Sequence, residues 1–180
     1  KFYCLTMQPP ADYFSLFGLS TTFEVDKRQL DSAYRQAQSQ VHPDRFATAS
    51  AAEQRQALQW ATWVNEAYQT LKSPLERARY LLSLHGVSVD EHTHTAMSSA
   101  FLMQQMTWRE SLAEAKITRQ SQVLDALAQE VQAVCEQGLQ QLAQAFATQQ
   151  WEAAADQWRQ LRFLNKLDHE ITDALVDVLA

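Results

Sequence analysis

Apolar residues recur at spacings of three and four over most of the chain, which predicts helices and orders them. Leu30, Ala33, Tyr34, Ala37 and Val41 share one side of a helix that Asp26 caps, with Gln29 three residues on. Pro43 forbids its continuation, because proline has no N–H to donate and its ring crowds the preceding turn. A second pattern opens at Ser50 with Glu53 three residues later and runs through Ala57, Trp60, Ala61, Val64, Ala67, Tyr68 and Leu71 to Ser73-Pro74. So short a connection predicts that the two helices lie antiparallel. Ahead of them, "DYFSLFGLS" offers Asp12 as an N-cap, Tyr13, Phe14, Leu16 and Phe17 as an apolar cluster, and Gly18 as a stop. "PLERARYLLSLHG" places Pro74 at a first helical position and Gly86 past the end, as helices prefer.

Residues 87–95, "VSVDEHTHT", are polar and aperiodic, and the domain boundary is expected there. Beyond them lie three longer helical patterns, at about 96–117, 120–148 and 150–179. The middle one carries Leu124, Leu127, Val131, Val134, Leu142 and Ala145 in a nearly heptad stripe, and the last carries Trp158, Leu161, Ile171, Leu175 and Val178. Such stripes close on one another as a three-helix bundle. Gly138 costs about 1 kcal/mol against Ala inside a helix, so it marks either a kink or a close approach. The expected organisation is a leader over 1–11, a first domain over 12–86, a linker over 87–95 and a bundle over 96–180.

Composition agrees: three glycines and four prolines leave little turn chemistry for strand-rich folds, so the fold class is all-α. The formal charge of −6, from 15 basic and 21 acidic residues, argues against a broad electrostatic grip on nucleic acid or anionic lipid. Cys4 and Cys135 are far apart and form no CxxC pair, so neither zinc nor a disulfide framework is indicated, and a reducing compartment suits the chain. No apolar run reaches the roughly 18 residues of a membrane span. "KFYCLTMQPPA" is too short and too polar at its end for a secretory signal and reads as a loose leader, with Met7 a candidate start.

Candidate chemistry is sparse. His42 and Asp44 in "QVHPDRFATAS" can be read as an acid–base pair, but spacing alone favours punctuation: a proline stop, then an aspartate start, with His42 tolerated in the loop. His85, His92 and His94 lack the cysteines or the i,i+4 partner of a metal site, and no metal is assigned. The segment "AFLMQQMTWRESLAEA" says more. At 100° per residue from Phe101, Trp108, Leu112 and Ala115 fall within about 40° of zero and form a core face. Leu102, Met103, Met106, Glu110 and Glu114 fall at about 100–220°, on the opposite side. Either this helix is buried on both faces or its second patch packs against the first domain, or that face is an adaptable surface for a partner.

A helix, "HPD" in a loop and an antiparallel helix together resemble a J domain, the module by which co-chaperones activate DnaK-class chaperones. More narrowly, "DYFSLFGL", "VHPDRFA", "VNEAYQTLKSPLERARYLLSLHG", "FLMQQMTWRE" and "LRFLNKL", in that order from about residue 12 to the end, resemble the HscB family of iron-sulfur cluster co-chaperones. The resemblance implies a protein without catalytic residues or cofactor, working as a monomer in the cytoplasm on two protein partners. An HscA-like DnaK-class chaperone would be engaged by His42, Pro43, Asp44 and Arg45, with Lys27, Arg28 and Arg35 on the preceding helix, and its ATPase stimulated. An IscU-like scaffold protein would be held by Leu102, Met103, Met106, Glu110, Glu114 and Phe163. Thr107 stands where relatives often carry an acid, and a lone Cys4 excludes the four-cysteine site of some eukaryotic relatives. A general J-domain co-chaperone for unfolded clients is the alternative. The absence of a Gly-rich phosphate loop leaves no nucleotide site in the chain itself.

Overall fold

The structure, a computed structural model, describes residues 11–89 and 97–179. Cys4 and Met7 of the leader, and His92 and His94 with most of the expected linker, lie outside the described residues. The described chain is helical throughout its regular elements: α1 (Tyr13–Leu16), α2 (Lys27–Val41), a 3₁₀ turn (Pro43–Phe46), α3 (Ala51–Lys72), α4 (Pro74–Leu84), α5 (Ser99–Ile117), α6 (Ser121–Ala147) and α7 (Trp151–Leu179). It divides into two compact units between Leu81 and Leu82, inside α4. The expected boundary at 87–95 falls a few residues later.

In the first unit the helix ends are where their capping residues put them. Asp12 and Ser15 cap α1 reciprocally, and Ser50 and Glu53 do the same for α3. Asp26 serves α2 in one direction only, accepting from the amides of Arg28 and Gln29. Gly18 and Gly86, at φ 64° and 75°, take the left-handed conformation that stops a helix. Helices α2 and α3 are antiparallel, as cross-links of opposite order require: the Tyr34 hydroxyl donates to Asn65 Oδ1 at 2.8 Å, and Tyr68 donates to Asp31 Oδ1 at 2.8 Å. The Tyr34 and Tyr68 rings stack between those bonds at 3.9 Å, and Lys72 Nζ sits 5.2 Å from the Tyr68 ring centre. Below this polar belt Phe14, Phe17, Leu30, Val64, Leu71, Ala78 and Leu81 are buried. α1 is held by Tyr13, which stacks on Tyr80 at 4.4 Å and whose amide donates to Tyr80 Oη at 3.0 Å. Arg77 is buried, donates to the Leu71 carbonyl at the end of α3 and lies over the Phe23 ring, and burial pulls its pKa down.

In the second unit α5 and α7 run in the same direction, because Phe101 faces Phe163, Arg109 faces Glu170, and Arg119 donates to the Asp177 and Val178 carbonyls. α6 lies antiparallel between them in the chain and packs most extensively on α7, around Leu124, Leu127, Val131, Leu142, Trp158, Leu161, Leu164, Leu167 and Ile171. Gly138 serves a close approach. α6 is continuous through it, and a Cβ there would come within 2.8 Å of both Gln157 Nε2 and Leu161 Cδ2, so glycine serves the close approach of α7. Both turns of the bundle place a non-glycine residue in the left-handed region, Arg119 at φ 51° and Gln149 at 55°.

Candidate functional site

The tripeptide at 42–44 sits at the open end of the α2–α3 hairpin. His42 closes α2 with an extended backbone, φ −61° and ψ 132°, the conformation a residue before proline favours. Its imidazole then caps the 3₁₀ turn: Asp44 N–H donates to His42 Nδ1 at 3.3 Å. The Asp44 carboxylate lies 3.5 Å from the same nitrogen. One nitrogen cannot hold a lone pair and a proton together, so the amide contact belongs to a ring unprotonated at Nδ1 and the carboxylate contact to a protonated one. His42 is thus a builder of the turn, a role that spacing alone did not reveal.

Arg45 donates through Nη1 to the Ser39 carbonyl at 3.2 Å, which satisfies one of the orphan carbonyls at the end of α2 and ties the far side of the loop back to that helix. Gln54, in the first turn of α3, donates to the Ala47 and Ala49 carbonyls at 3.4 and 3.2 Å and secures the other side. The Asp44 side chain is 88 % exposed and that of His42 53 %, with Arg45 exposed beside them. Such openness is the opposite of the dry enclosure in which acid–base catalysis gains electrostatic leverage. A rigid, exposed carboxylate instead suits a charge-assisted bond to a basic group on another protein.

Lys27, Arg28 and Arg35 are all exposed on α2. Arg28 and Arg35, seven residues apart, project within about 20° of each other and away from the buried Leu30, Ala33 and Ala37. Lys27 is displaced from them by about 100°. The positive face therefore rests on two arginines, narrower than three basic residues in one sequence segment suggest.

The second candidate surface lies on α5. Its core face is filled: Trp108, Leu112 and Ala115 are buried, and Trp108 Nε1 donates to Glu130 Oε1 of α6 at 2.8 Å, which fixes the rotation of the helix. On the other side Leu102, Met103 and Met106 are 46 %, 69 % and 64 % exposed, and Glu110 and Glu114 are exposed beyond them. Burial on both faces is thereby overturned. Ser98 accepts from Phe101 N–H and caps the helix beside this patch. Phe101 is only half-buried and stands edge-on to Phe163 of α7, ring centres 6.0 Å apart, so it belongs to the rim and not to the core face where its phase put it. Phe163 is itself half-buried, and the structure brings it beside the α5 patch although 61 residues separate it from Leu102 in sequence. Five residues named from the sequence thus lie on the solvent-facing side of α5, and Phe163, the sixth, adjoins that helix through Phe101 and Arg109. Arg109 and Glu170, which flank Phe163, were not among them, because nothing in the sequence pairs a position on α5 with one on α7.

Known proteins resemble this chain along nearly its whole length. Residues 12–80 match the DnaJ domain family, and residues 97–172 match the family described as the HSCB C-terminal oligomerisation domain. A co-chaperone protein HscB homolog from Cupriavidus taiwanensis is 49 % identical over 164 residues, covering 91 % of this chain and 93 % of that protein. Among solved structures, chaperone HscB from Vibrio cholerae superposes with a TM-score of 0.82 at 41 % identity, covering 93 % of this chain and 99 % of that one. The human co-chaperone protein HscB gives 0.86 at 33 % identity, covering 92 % and 82 %.

Proposed function

Because the chain belongs to the HscB family of J-domain co-chaperones, we propose that it binds an IscU-like iron-sulfur scaffold protein and delivers it to an HscA-like DnaK-class chaperone whose ATPase it stimulates. The family is one of co-chaperones and not of enzymes, and the chemistry accordingly resides in the partner. In this reading the J domain spans 12–86 and the scaffold-binding bundle 96–180. No described helix is long and apolar enough to cross a membrane.

One observation carries the reading: Leu102, Met103 and Met106 stay exposed on a helix whose core face is already filled. Exposed apolar side chains in one patch, edged by Glu110 and Glu114, suit a folded partner that offers an apolar centre and basic rim. Methionine supports such contact because its flexible thioether adapts to irregular surfaces. In the first unit, His42-Pro43-Asp44 and the Arg28–Arg35 face would meet the ATP-bound chaperone. The loop is already held by His42, Arg45 and Gln54, so docking loses little conformational entropy.

The test is an ATPase assay of the chaperone with this chain, with scaffold, and with both. Delivery predicts that the two together stimulate more than the sum of each alone. A purely additive result would remove the scaffold from the mechanism and leave a general J-domain co-chaperone for unfolded clients.

A further inference from the structure

Phe163 is the one proposed scaffold contact that does not come from α5, and two neighbours meet its ring, the second of them held by a third residue. Phe101 meets it edge-on, at 80° between the planes. The Arg109 guanidinium lies over it with Cζ 5.1 Å from the ring centre, within cation–π range. Arg109 Nη1 is in turn paired with Glu170 Oε2 at 3.4 Å, about two turns of α7 beyond Phe163 on nearly the same side. Resting on the scaffold-binding reading, we infer that Arg109 and Glu170 are positioning residues: they clamp the Phe163 ring so that the partner meets an anchor already in place.

Two physical consequences follow from this arrangement. An aromatic anchor held in one rotamer binds with less entropic loss than one that must be ordered on contact. The Arg109–Glu170 pair also neutralises the only arginine within α5, so the edge of the face turned to the partner keeps the acidic character of Glu110 and Glu114. As an exposed ion pair it adds little to stability by itself. Its effect is therefore expected in binding and not in the melting temperature. Lysine at 109 would keep the charge but lose the planar stack and the fork.

The experiment is a double-mutant cycle, by isothermal titration of the full chain against folded, cluster-free scaffold protein, with thermal melting of every variant. Arg109→Ala should weaken affinity about two- to fivefold, Arg109→Lys and Glu170→Gln by less, and all should melt with the parent. In a Phe163→Ala background Arg109→Ala should cost nothing further, because there is no ring left to position. A loss of equal size in that background would overturn the clamp and make Arg109 a direct contact, and no loss in either background would overturn it as well. Leu102→Ala separates the two levels: if it too leaves affinity unchanged, the scaffold-binding reading fails along with the clamp, whereas weakened binding with an additive cycle refutes the clamp alone.

Discussion

The loop at 42–46 and the outer face of α5 are both exposed, yet they are built by opposite means. In the loop almost every polar group that shapes the turn is satisfied from within: Asp44 N–H by His42, the Ser39 carbonyl by Arg45, the Ala47 and Ala49 carbonyls by Gln54. A small number of charged atoms is presented on a fixed backbone, so its specificity is directional. On the α5 face Leu102, Met103 and Met106 carry no hydrogen-bonding frame of that kind, being apolar. That face is the remainder of a helix whose other side is spent on the core, and it offers apolar area with an acidic edge. Directional sites fail when one atom changes, whereas area-based sites fail by degrees as carbon is removed.

That difference can be broken experimentally. The largest effect is expected from removing area: Leu102→Ala, Met103→Ala and Phe163→Ala combined should weaken scaffold binding by about 100-fold or more, read by titration. Stimulation of the chaperone by the chain without scaffold should persist. If that stimulation falls in parallel, the two surfaces do not act separately.

Next comes a single atom in the loop. Asp44→Asn keeps the shape and removes the charge, and should reduce chaperone stimulation by about ten- to hundredfold, the size of a lost charge-assisted bond. Scaffold affinity should be unchanged. Normal stimulation by this variant would refute the docking role of the carboxylate.

The smallest effect is on stability, and it is confined to the loop side. Ser50→Ala removes the cap at the start of α3 and should cost about 1 kcal/mol in urea denaturation of the first unit, with the bundle unaffected. The same cap makes the first unit sensitive to acid. Hydrogen bonds from the Ser50 side chain and then from its backbone hold the Glu53 carboxyl below its ordinary value of 4.5. A depressed folded-state pKa contributes stability that is present above 4.5 and disappears as pH falls through the lower folded value. Glu53→Gln should flatten this acid limb when helicity is followed by circular dichroism, and an unchanged limb would place the acid sensitivity elsewhere.

Much of this molecule was legible before folding. Asp12, Asp26, Ser50, Pro74, Gly18 and Gly86 mark helix ends because capping and left-handed stops are local chemistry, satisfied within a few residues of backbone. The apolar phases of α3, α6 and α7 located the core, since a helix must bury its stripe. The likeness of five motifs to one family holds as family membership, and the docking residues proposed above rest on that likeness.

Tertiary structure decided what local pattern leaves degenerate. α5 is apolar on both sides, and only packing against α6, through Trp108 and Glu130, selects which side is core and which is left to solvent. Gly138 reads equally as a kink or a close approach until Leu161 is seen against it. The Arg109, Glu170 and Phe163 cluster joins two helices that run parallel with a whole helix between them in the chain, a register set by the core beneath and by no local spacing. Helix ends and stripes depend on neighbours a few residues away, and the sequence determines them by itself; contacts across helices depend on how separate stripes interdigitate, which is settled only when the bundle closes.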